Sequence, residues 1–110
     1  MTTVWTKKCA SYELPRVRKA VSEALEVLPA GRLVLQEANR VLLKPNLLSS
    51  SAAPQEAVNT HPAVVRAMAE VASFDFGCRV AIGDSCGSLT TSSTANAIRN
   101  SRMDKVAEAV

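Results

Sequence analysis

Two short apolar runs, Val41-Leu42-Leu43 and Val80-Ala81-Ile82, constrain this chain more than any other feature. Each follows an arginine and stops at polar residues, Lys44-Pro45-Asn46 in one case and Gly83-Asp84-Ser85 in the other. Three apolar residues in succession leave no polar face. Each run therefore predicts a strand buried on both sides, as in a parallel sheet covered by helices. Between the runs, Thr60-His61-Pro62 reads as a helix start, with Thr60 or His61 as the cap and Pro62 in the first turn. Val64, Val65, Met68, Val71 and Ala72 then form an apolar face, and Gly77 lies just past the expected end. Strand, helix and strand in that order predict two parallel strands and the α/β class.

The flanking segments add helices. From Leu14, the residues Val17, Val21, Leu25 and Leu28 recur every three or four positions, with Pro15 suited to a first turn. Pro29-Ala30-Gly31 is expected to end that helix. Leu33-Val34-Leu35 fits either a strand or a helical turn, and Val4-Trp5-Thr6 is a candidate opening strand. The Ser-, Ala- and Pro-rich stretch from Asn46 to Asn59 is long for a connection, as binding loops and lids often are. Ser85 to Thr94 reads as a polar loop, followed by short helices at Ala95–Arg99 and from Met103 to Val110. The expected architecture is a parallel, Rossmann-like sheet with helices packed on it. Its two or three strands make a thin sheet. The 110 residues are thus expected to form a single α/β domain or the N-terminal fragment of one, an incomplete half of a larger domain. A missing C-terminal portion or a homo-oligomeric partner would complete it.

Composition removes several classes. Basic and acidic residues are mixed along the chain and the net charge is only +3, which argues against nucleic acid or an anionic membrane as the main partner. No segment approaches the roughly 20 apolar residues of a membrane span. No apolar run follows Lys7-Lys8, so no secretory signal is read and the expected location is the cytoplasm. Cys9, Cys78 and Cys86 are odd in number and fit no zinc or cluster spacing. They are expected to be reduced thiols, and no cofactor is expected in this chain.

Three motifs in order carry a resemblance: Lys44-Pro45-Asn46 after an apolar strand, Thr60-His61-Pro62 at a helix start, and Ile82-Gly83-Asp84-Ser85 at a strand end. Together they resemble the family called domain of unknown function 362 (DUF362). Cys9-Ala10-Ser11-Tyr12 is similar to the family's opening, and the segment from Met103 to Glu108 to a later helix. Cys86 departs from the family's usual proline. The resemblance implies longer relatives that often carry a ferredoxin-like module with an iron–sulfur cluster, held by cysteine runs that this sequence lacks. It supplies no established reaction.

Ligands of open α/β sheets bind beyond the carboxyl ends of the strands. That places Lys44, Asn46, Asp84 and Ser85 as a candidate site. Thr60 and His61 join them because a helix start offers free N–H groups to an anion. The expected ligand is a small anion or a metal-linked group. Lys44 would supply charge, Asn46 and Ser85 orientation, and Asp84 a base or metal ligand. His61, Asp84 and Cys86 can be written as a metal set, although no ligand spacing supports it. Each residue also has a local structural explanation: Pro45-Asn46 and Asp84-Ser85 as turns, and His61 as a cap. Two alternatives stay open: a small independent enzyme using Lys44, His61 and Asp84, and a nonfunctional truncation.

Overall fold

Prolines and glycines decide where most of the helices begin and end. The computed structural model describes residues 2–86 and 91–110. Helix α1, Leu14–Val27, carries Pro15 in its first turn. It stops at Leu28, whose φ of −110° and ψ of 78° lie outside the helical region, because a residue preceding proline is driven from it. Pro29 then opens a second helix, α2, Pro29–Glu37. Pro29-Ala30-Gly31 thus ends one helix and begins the next. The ambiguous Leu33-Val34-Leu35 is helical, with Leu35 buried. A side chain at Gly31 would place its Cβ 3.2 Å from Leu25 Cδ2, so the absence of one lets α2 fold back tightly on α1. Val4-Trp5-Thr6 has no regular structure.

Strand β1, Arg40–Leu43, and strand β2, Arg79–Ile82, pair in parallel. Val41 lies opposite Val80, and Leu43 opposite Ile82. The chain between them crosses over through α3, Pro62–Glu70, which widens into a π-helical turn at Val71–Asp75. Gly77, with φ of +70°, reverses the chain into β2, a conformation that glycine adopts without the usual Cβ penalty. Helices α4, Thr91–Asn100, and α5, Met103–Glu108, follow. The polar loop expected over Ser85–Thr94 falls partly on residues 87–90, outside those described. From Thr91 onward that stretch is helix, so α4 begins one turn earlier than Ala95.

Val41, Leu43, Val80 and Ile82 face the helices, and two clusters of buried side chains lie against them. The first holds Leu47, Val65, Ala69, Cys86, Ala97, Met103 and Val106; the second holds Leu35, Ala72 and Cys78. Burial of this kind contributes roughly 25 cal/mol per Å² of apolar surface. A partly exposed polar tie accompanies it: Arg18 of α1 reaches Asp75 at 2.6 Å and Glu70 at 3.4 Å, joining α1 to the helix after β1. The opposite face of the strands is open. Leu42 is 67% exposed. The expectation of strands buried on both sides is therefore corrected to an alternating pattern, because one helical layer covers one face only. Among the described residues, no helix is long and apolar enough to cross a membrane.

Candidate functional site

Parallel neighbours end on the same side of a sheet, so β1 and β2 deliver their C-terminal residues to one edge. Lys44 Nζ donates to Asp84 Oδ1 at 2.6 Å. The other carboxylate oxygen, Oδ2, accepts the Leu47 backbone N–H at 2.9 Å. Asp84's side chain is only 5% exposed while that of Lys44 is 70% exposed. A buried anion thus holds a cation at the surface. The Lys44 ammonium, the Leu47 N–H and the Ser85 N–H lower the Asp84 carboxyl to about 2, against the opposing effect of burial.

The same edge is closed by the segment after β1. Thr60 Oγ1 accepts the Asn46 N–H at 2.8 Å, and the Thr60 N–H donates to the Asn46 carbonyl at 2.9 Å. This two-way link ties the end of β1 to the start of α3. Asn59 repeats the device further along. Its Oδ1 accepts the Ser49 N–H and its Nδ2 donates to the Ser49 carbonyl, both at 2.9 Å. Cys86 Sγ donates to Leu48 O at 3.7 Å, and Asn100 Nδ2 to Ser50 O at 2.6 Å. The side chains of Asn46 and Ser85, which follow Lys44 and Asp84 closely in the chain, are exposed. Lys44, Pro45, Thr60 and Val64 line a shallow depression of about 270 Å³.

His61 is placed differently. Its Nδ1 accepts the Ala63 N–H at 3.1 Å, capping α3. Its ring stacks on Tyr12 with centroids 3.6 Å apart and planes 8° from parallel. Burial lowers its pKa, since desolvation disfavours the imidazolium. The ring borders a second depression with Arg66, Arg102 and Lys105. The structure therefore brings Lys44, Asn46, Thr60, Asp84 and Ser85 to one edge and engages the His61 ring elsewhere. Among the described residues, no group of three or more His, Cys, Asp or Glu side chains is arranged to hold a metal ion, so His61, Asp84 and Cys86 do not form the set written from the sequence.

Sequence reasoning missed Asn59 and Asn100 as parts of this edge, and read Cys86 only as a metal-ligand candidate and not as a donor to the loop backbone. Asn59 directly precedes the Thr60-His61-Pro62 start, and a buried asparagine bonding a loop backbone is a recurrent turn device; that adjacency was the available signal. The bonds of Cys86 and Asn100 join residues remote in sequence, and no local pattern announces them.

A search of curated proteins and a search of solved structures gave no significant match. The model of the family described as "Domain of unknown function (DUF362)" matches residues 41–110. That span contains β2, all of β1 but Arg40, the α3 start and the whole Lys44–Asp84 edge; Cys9 to Tyr12 lie outside it. On a match over more than half of its length, with the three motifs joined at one sheet edge, the chain belongs to the DUF362 family.

Proposed function

We propose that the strand edge of this DUF362 chain binds a small anion, with Lys44 as the cation and Asp84 as the group that sets it in place. The exposed ammonium held by a buried carboxylate is the observation that supports this reading. One Lys44 donor is committed to Asp84, which leaves two of the three ammonium protons for a ligand. Asn46 and Ser85 are exposed at the same strand ends, and Thr60 borders the depression that Lys44 lines. Asp84 already accepts from Lys44 and Leu47. The anion half of the sequence expectation is therefore favoured over the metal-linked half. One exposed charge and two or three neutral hydrogen bonds, each worth about 1 kcal/mol, give a Kd on the order of millimolar.

In this proposal the chain is an N-terminal α/β part, located in the cytoplasm, whose counterpart in longer relatives works beside an iron–sulfur module. The resemblance supports that context. The cysteines present do not suit a cluster of their own. Cys78 and Cys86 are buried with their thiols turned to backbone carbonyls, and Cys9 is exposed at a distance from both in sequence. Titration calorimetry with inorganic phosphate tests the anion site. The expected result is weak saturable binding that Lys44→Met removes while the fold persists. Equal binding by both proteins overturns the proposal.

A further inference from the structure

An apolar cavity lies between α1 and the N-terminal strap, residues 2–13, which precedes it. It measures about 400 Å³ and is lined by Trp5 and Tyr12 from the strap, Val17, Val21 and Ala24 from α1, and Val64 from α3. Pockets for small ligands run from about 300 to 1,000 Å³ with mostly apolar walls. A second depression of about 290 Å³ shares Cys9, Ala10 and Ala20 with it, so the two adjoin. The second one is basic: Lys7, Lys8, Arg16 and Lys19 line it, and no carboxylate does. Lys7 is engaged by Glu23 and Arg16 by Glu13, whereas Lys19 lies 4.0 Å from Glu23 and is 77% exposed. Lys8 makes no ion pair among the described residues.

We infer that this pair of cavities binds a free amphiphilic anion, a medium-chain carboxylate. Its hydrocarbon tail occupies the Trp5–Val64 cavity and its carboxylate meets Lys8 and Lys19. The inference rests on two independent properties placed side by side. An apolar cavity alone would accept any hydrophobe. A basic rim alone would accept any anion. Their shared wall selects a molecule that is both. Apart from Val64, which also borders the depression beside Lys44, the lining lies ahead of Val41, outside the residues matched to the family.

Trp5 is the chain's single tryptophan, so its emission reports on the cavity without labelling. The experiment titrates the full chain with decanoate below its micelle concentration, with acetate and decanol as comparisons. Decanoate is expected to shift Trp5 emission saturably and acetate to do nothing. Lys8→Met should weaken decanoate up to about fivefold, the effect of one exposed ion pair, and leave decanol unchanged. Ala24→Phe, which fills the cavity, should abolish the response. Should that variant lose its circular dichroism, Lys8→Met decides alone, since an exposed lysine can be changed without touching the core. No saturable response to decanoate overturns the inference. So does equal binding of decanol and decanoate, a response only to anionic phospholipid vesicles, or a Trp5 shift that follows protein concentration without ligand and so marks a second copy as occupant.

Discussion

Leu47 and Leu48 are identical neighbours with opposite surroundings, and shortening each to alanine tests how the strand edge is anchored. Leu47 is 1% exposed and packs among Val65, Ala69, Met103 and Val106, while Asp84 accepts its N–H at 2.9 Å. Leu48 is 62% exposed. Leu47→Ala removes three buried carbons from a cluster built from α3, α4 and α5, and the cavity left behind adds to the lost transfer energy. The expected cost is about 3 kcal/mol. Against a typical domain stability of about 5–15 kcal/mol, that is a large share. It corresponds to a fall in Tm of roughly 10–20 °C. Leu48→Ala should stay within about 0.5 kcal/mol of the parent. Urea unfolding followed by circular dichroism measures both, with unchanged slopes required for the comparison. Equal midpoints for the two variants would refute the claim that Leu47 seats the segment after β1 in the core.

Two further outcomes follow from the same geometry. The Asp84 carboxyl sits at about 2 in the folded chain, below its ordinary 3.8. Its stabilising effect is thus complete above about pH 4 and lost as pH falls toward 2; Asp84→Asn should flatten the acid limb of a stability–pH profile in that window, and an unchanged limb would count against the Lys44–Asp84 pairing. Thiol labelling of the native chain should modify Cys9 quickly and reach Cys78 and Cys86 only on unfolding, since the first is exposed and the others are buried; three equally fast thiols would contradict the packing of both clusters.

The parallel strand pair was legible because two short apolar runs flank a capped helix, and such a crossover leaves few arrangements. The convergence of Lys44 and Asp84 follows from that topology alone. His61 was legible in its modest role, because a residue before proline at a helix start is placed by local rules. Three features were not. Pro29 both stops and starts a helix, and a single residue carries both signals. Leu42 reads as core from its neighbours, yet its exposure depends on how many layers cover the sheet, which is a tertiary fact. The bonds from Asp84 to Leu47 and from Asn100 to Ser50 close across 37 and 50 residues and leave no local periodicity to read.

Amide chemical shifts recorded while inorganic phosphate is added test the strand edge most directly. The account predicts saturable shifts gathered at Lys44, Asn46, Leu47, Thr60 and Ser85, absent in Lys44→Met under the same conditions. Shifts spread evenly over the surface, or retained in Lys44→Met, would contradict it and leave Lys44 and Asp84 as the latch that closes β1 onto β2.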